Sequence, residues 1–190
     1  MSANLAYDER QHNLRYELIN GAEKLLARPA VPHANVAGNI FGILHSYLRG
    51  KKCKVFGEVD VFFDEQSRLV PDIIVVCDRR KIKYDGIHGA PDLVIEILSP
   101  GTAQNDRIVK KAVYEKYGVQ EYWLVNPKDR SVEVFHHDGQ ELAAVGVYHA
   151  YEPKDWEMMS ESEQKEQQFS VKVSLYPDLS ITVQDIFEDI

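Results

Sequence analysis

The segment DLVIEIL, residues 92–98, sets a glutamate in the middle of an otherwise apolar, strand-like run. Side chains alternate faces along a strand, so Asp92, Val94, Glu96 and Leu98 share one face of whatever sheet the run joins. A bare buried carboxylate is expensive, and Glu96 must therefore be paired, protonated or bound to a metal ion. Two more runs rich in β-branched and aromatic residues come before it, CKVFGEVDVFF at 53–63 and VPDIIVVC at 70–77. The turn-forming segments DEQSR and DRRKIKYDGIHGAP separate the three, so each is read as one strand.

Helices flank this strand block. From His33 to about Leu48, the residues Val36, Ile40, Ile43, Leu44 and Tyr47 recur at helical spacing, and Gly50 stands where a helix stop belongs. A second helix is expected from about Ala103 to Tyr117, with Thr102 as its N-cap. Ahead of both, residues 14–27 read as a hairpin closed by Asn20-Gly21. Strands are expected at 121–126 and 131–136, and 169–175 (FSVKVSL) alternates as a strand at a sheet edge would. The polar stretch 156–168 reads as a loop, and ITVQDIFEDI as a short docking helix. The order is that of a layered α/β domain, with one domain over residues 1–190: hairpin at 14–27, core at 33–126, and C-terminal strands with an acidic extension at 131–190.

Net charge is −8, but it is unevenly spread. Residues 151–190 carry 10 acidic and 3 basic side chains, whereas residues 1–150 carry 20 and 19. The nearly neutral body holds basic clusters at 49–54, at 79–83 and at Arg107 with Lys110 and Lys111, which could touch phosphates or simply face solvent. No apolar run approaches the ~18 residues of a membrane span, and the first 17 residues lack the apolar core of a secretory signal. A cytoplasmic protein without a membrane partner is the expectation. Cys53 and Cys77 lack metal-ligand spacing, and reduced core thiols are expected for them.

Pro-Asp occurs at Pro71-Asp72, Pro91-Asp92 and Pro177-Asp178. Asp92 is about 13 Å along the strand from Glu96, too far for one ion. Asp72 on the preceding strand could approach Glu96 to about 5 Å if the two strands are neighbours, and together they could hold a hard divalent cation. The spacing is equally met by Asp72 and Asp92 as turn acids with Glu96 paired to a Lys or Arg. On a wheel of the second helix, Ile108, Val109, Ala112 and Val113 form the buried arc. Lys110 lies near its edge, able to reach a site or to pair with Asp106 one turn back, and Lys111 points to solvent. No G-x-S-x-G elbow, HExxH zinc motif or phosphate-binding glycine loop occurs, and Ser99 has no such setting.

The segments VPDIIVVC and PDLVIEILSPGTAQNDRIVKKAVYEKYGVQEYWLVNP, with YELING, His33 and SLYPDLSITVQDIF, resemble the Uma-two family of restriction-endonuclease-like proteins, itself similar to the PD-(D/E)xK nucleases. The resemblance implies a restriction-endonuclease-like core, α-β-β-β-α-β, with the 70–76 and 92–98 strands adjacent. It implies a Mg²⁺- or Mn²⁺-dependent endonuclease acting on DNA phosphodiester bonds, with Asp72 and Glu96 as catalytic metal ligands. Leu98 stands where the superfamily motif has its lysine, and Lys110 on the following helix matches the family's replacement. Asp106 matches a family acid read as structural, and Glu17 and His33 match family positions. The alternative is a nucleic-acid- or protein-binding module that keeps the fold without turnover. Nucleases of this class often act as dimers, and the FSVKVSL edge makes a homodimer the expectation.

Overall fold

A computed structural model of the chain describes residues 15–190. Leu14 of the expected hairpin, and all but the last three residues of the N-terminal stretch read for a signal, lie outside the described residues. Strands β1 (Tyr16–Ile19) and β2 (Ala22–Leu25) pair antiparallel around Asn20 and Gly21. Both turn residues have positive φ, 50° and 82°, the conformation that Asn-Gly accepts with least strain. Helix α1 (Val31–Leu48) starts two residues before the expected His33, with Pro32 in its first turn, and buries Val36, Ile40, Leu44 and Leu48 along one stripe. Gly50, at φ 76°, turns the chain away just past its end.

The run at 53–63 is not one strand. It divides into β3 (Lys54–Gly57) and β4 (Val61–Asp64), which belong to different sheets. Glu58, at φ 46°, makes the corner that a continuous strand would not allow. Strand β5 (Ser67–Leu69) forms a hairpin with β4, and after β6 (Ile73–Val76) the short β7 (Ile87–His88) returns beside β4. With the first hairpin these strands make a five-stranded sheet in the order β2-β1-β5-β4-β7.

The larger sheet has six strands, in the order β11-β10-β9-β8-β6-β3, with β8 (Leu93–Ile97), β9 (Glu121–Asn126), β10 (Ser131–His137) and β11 (Leu142–His149). Strands β6 and β8 are antiparallel neighbours, as the resemblance implies, and β8 runs parallel to β9. Apolar side chains leave both faces. Leu93, Ile95 and Ile97 pack toward α1, while Val94 and Leu98 pack toward the small sheet and the second helical segment. The α-β-β-β-α-β core is thus a central sheet covered on both sides.

Three expectations are corrected on the chain after β8. The second helix runs as a six-residue π-helical stretch (Asn105–Lys110) into α2 (Lys111–Lys116). Its inner face is Asp106, Lys110, Val113 and Tyr114, whereas Ile108 and Val109 are 61% and 40% exposed, because the wider turn breaks the 100° periodicity of the wheel. Residues in the expected loop form α3 (Pro153–Met158) and α4 (Glu161–Glu166), the latter begun by a Ser160/Glu163 capping box. The FSVKVSL segment supplies β12 (Ser170–Lys172), which pairs with β13 (Ser180–Thr182) in a separate ribbon. Val171 and Val173 of this segment are buried in the core on the α1 side.

The closing segment behaves as expected. Helix α5 (Val183–Ile186) docks against α1, where Asn35 and Asn39 donate to the carbonyls of Ile186, Glu188 and Asp189. Cys53 and Cys77 are disulfide-bonded rather than reduced. The β3–β6 register pairs Lys54 with Val76, and one step further sets the two cysteines opposite each other.

Two glycines predict opposite stability changes. A Cβ on Gly86, at φ 148°, would meet the Asp60 carbonyl oxygen at 2.4 Å, whereas a Cβ on Gly42 in α1 meets nothing within 4 Å. Urea unfolding of Gly86→Ala is expected to show a loss of at least ~1–3 kcal/mol, and Gly42→Ala a gain of about 0.5–1 kcal/mol.

Candidate active site

The site starts from strand register. Pairing of Ile73 with Ile95 and Ile74 with Val94 continues by one residue to set Asp72 across from Glu96. Both therefore belong to the face that carries Val94 and Leu98. Asp72 Oδ2 accepts the Ile97 N–H at 2.7 Å and lies 3.3 Å from His33 Nε2 on the first turn of α1. Asp92, at the other end of β8, accepts the Cys77 N–H through Oδ2 and pins the two strands together; it is not part of the site.

Glu96 is 2% exposed, and its Oε1 accepts from Lys110 Nζ at 3.0 Å and from the Tyr114 hydroxyl. Lys110, 5% exposed, also lies 2.7 Å from Glu17 Oε1 and 3.7 Å from Asp106 Oδ1. Glu17 comes from β1, and its Oε1 accepts the Val70 N–H as well. Tyr122 donates its hydroxyl to the Asp106 carbonyl, which braces the π-helical stretch against the sheet. That stretch matters because it presents Asp106 and Lys110 side by side on its inner face.

Four carboxylates thus surround one ammonium and one imidazole. Burial, then the neighbouring carboxylates, push the Glu96 carboxyl well above its ordinary range, with Lys110 acting against them. Burial likewise raises Asp106. For Lys110, burial alone favours the neutral amine, but Glu96, Glu17 and Asp106 together outweigh it and hold the ammonium protonated. At His33, burial also opposes the charge, and the hydrogen bond and charge of Asp72 overcome it, so its value rises.

A cavity of about 740 Å³ opens onto Asp72, Glu96 and Lys110. Its walls include the connection from Leu26 to Ala30, His33, Ser99 and Thr102. Among the described residues no donor reaches Asp72 Oδ1 or Glu96 Oε2, and no three His, Cys, Asp or Glu side chains converge on one point. The two carboxylates could hold a hard divalent cation whose other ligands are water or substrate oxygens, an ordinary arrangement for Mg²⁺.

Asp72, Glu96 and Lys110 are therefore brought together as the sequence leads one to expect. Lys110 is a buried bridge, not a surface residue, and its contact with Asp106 is the longest of its three. Glu17 and His33 stand in direct contact with this trio. Leu98 is buried where a motif lysine would otherwise project, and Lys110 approaches Glu96 from the helix instead. Tyr114, the tyrosine that follows Lys110 in the pattern D-x3-K-x3-Y, has no role assigned from the sequence, yet it lies one turn beyond Lys110 on the same face and reaches Glu96.

The chain matches the model of the Uma2 family, described as "Putative restriction endonuclease", over residues 3–174, and it belongs to that family. An uncharacterized protein of Synechocystis sp. is 27% identical over 136 residues, 70% of each chain. The crystal structure of "a putative nuclease belonging to DUF820" from Anabaena variabilis superposes with a TM-score of 0.69 at 23% identity, over 90% of this chain and 89% of that one. The likeness is one of fold, the restriction-endonuclease-like α/β architecture. Among the described residues no helix is long and apolar enough to cross a membrane.

Removing the ammonium would leave the buried carboxylates uncompensated, and Lys110→Met is expected to lose ~3–5 kcal/mol of unfolding free energy. The loss has a pH signature. A carboxyl raised in the folded state stabilises fully below its ordinary value, 4.5 for glutamate, and that contribution fades as pH rises. Denaturation from about pH 5 to about pH 8 should therefore show the gap between wild type and Lys110→Met widening with pH.

Proposed function

We propose that this chain is a Mg²⁺- or Mn²⁺-dependent endonuclease that hydrolyses DNA phosphodiester bonds at Asp72, Glu96 and Lys110. The observation that carries the reading is the cross-strand Asp72–Glu96 pair with Lys110 Nζ 3.0 Å from Glu96, all opening on one cavity. A divalent ion held by Asp72 and Glu96 would supply Lewis-acid charge and favour ionisation of a bound water. The chain's own groups do the rest. The Ile97 N–H and His33 both engage Asp72 Oδ2, which fixes that carboxylate with Oδ1 turned free of them. Lys110 and Tyr114 fix Glu96 through Oε1 in the same way. Lys110, held protonated, sets a positive charge at the cavity wall where the phosphoryl oxygens gain negative charge during attack.

The test is cleavage of plasmid and single-stranded DNA with Mg²⁺ or Mn²⁺. Asp72→Asn and Glu96→Gln are each expected to lower kcat by about 10²-fold or more. Calorimetric titration with Mg²⁺ should give binding heat that Asp72→Ala abolishes. Cleavage that survives Glu96→Gln would remove the site assignment. Absence of cleavage together with metal-independent association would favour a non-catalytic binding module on the same fold.

A homodimer belongs to this reading, because paired sites can cut both strands of a duplex. The free edge suited to it is β11 rather than FSVKVSL. Its sequence LAAVGVYH has no Asp, Glu, Lys or Arg, and it exposes Val145 and Val147 at the end of the large sheet. Such an edge lacks the charges that usually block pairing with another chain. Light scattering at micromolar concentration and ~0.15 M salt is expected to give twice the chain mass; a single-chain mass across the range would rule the dimer out.

A further inference from the structure

The cavity beside Asp72 and Glu96 has an acidic floor, which by itself repels a phosphodiester. The cations around it are already engaged, with one exception. Arg15 is bound to the Glu58 carboxylate at 2.6 Å and to its carbonyl at 3.0 Å. Lys110 is surrounded by Glu17, Glu96 and Asp106. Arg28 also lines the cavity, is exposed, and has no carboxylate or hydrogen-bond partner among the described residues.

Arg28 sits on a stiff strap. The segment from Leu26 to Ala30 leaves the first hairpin and enters α1, and every residue of it lines the cavity. At one end the Leu26 N–H donates to the Arg15 carbonyl at 2.9 Å. At the other, Ala30 is extended, at φ −77° and ψ 162°, where α1 begins. Pro29 fixes its own φ and restricts Arg28 before it to extended backbone. The guanidinium is thus carried by a backbone with little freedom to lose on binding.

The geometry points to Arg28 as a phosphate-binding residue that docks a backbone phosphate next to the one undergoing attack at Asp72 and Glu96. This deepens the nuclease reading and rests on it. A guanidinium can bind phosphate in two-pronged fashion. The class of substrate follows: a polynucleotide strand carrying consecutive phosphates, not a mononucleotide, because Arg28 offers charge to a second phosphate while the acidic floor takes the first through its cation.

The test uses the full chain and a short fluorescein-labelled DNA strand, with cleavage followed in Mg²⁺ and Mn²⁺ and binding by anisotropy in EDTA. Arg28→Ala is expected to raise KM about tenfold, the loss of one good charged contact, with kcat and thermal stability unchanged. The salt dependence of binding should become shallower by about 0.7 logarithmic unit for a single strand. Arg28→Lys should restore that slope but not the full affinity, since it keeps the charge and loses the fork. Cleavage with unchanged KM and slope in Arg28→Ala overturns the proposal and leaves the nuclease reading standing. Arg28-dependent binding with no cleavage by wild type overturns the nuclease reading and, with it, the placement of Arg28 beside a reacting phosphate, leaving a phosphate contact alone. Neither binding nor cleavage by wild type overturns both.

Discussion

The Lys110 ammonium joins three parts of the fold at one point. Glu17 comes from the small sheet, Glu96 from the large one, and Asp106 from the π-helical stretch that carries Lys110 itself. Each carboxylate would be intolerable at its depth without the ammonium, and the ammonium would lose its proton without them. The cluster is therefore a mutual condition: the two sheets are held in one relative position because any other would strand a charge. Hydrophobic packing surrounds the cluster, with Tyr114 and Tyr122 among the most buried side chains, but packing alone does not specify a point.

This arrangement also accounts for where the candidate site lies. Asp72 and Glu96 are on the face of the large sheet that the small sheet and the second helix cover, at the end where that cover parts into the cavity. Both residues line that cavity, and one oxygen of each is engaged by fixed donors. The site is rigid because its orienting groups are backbone N–H, a buried lysine and a buried tyrosine, none of which can swing out to solvent.

Much of this was legible in the sequence, and what was not has identifiable causes. Glu96 inside VIEIL is visible because a lone acid violates strand patterning, and Asp72 follows once the two strands are neighbours. The Asn20-Gly21 turn and the α1 stripe are local, so local rules find them. The division of 53–63 escaped because Glu58 takes a positive φ that its residue type does not advertise. The inner face of the second helix escaped because a wheel assumes regular turns, and here apolar Ile108 and Val109 are sacrificed to solvent so that Asp106 and Lys110 can turn inward. Strand β11 escaped because its small, one-sided residues give no alternation. The Ser160/Glu163 capping box was readable and was overlooked behind the acidity of its surroundings.

The long reach between Glu17 and Lys110 has a consequence for how the protein comes into being. Contacts between residues remote in sequence are closed slowly, after local hairpins and helices have formed. During synthesis the first hairpin emerges early and Glu17 can meet the Val70 N–H, but it waits for Lys110 until the π-helical stretch has followed, and β8 has no parallel partner until β9 is made. A ribosome-bound or truncated chain therefore holds Asp72 without the ammonium that organises its neighbours. The cluster of Asp72, Glu96 and Lys110 is thus complete only after both sheets and the π-helical stretch between them are in place.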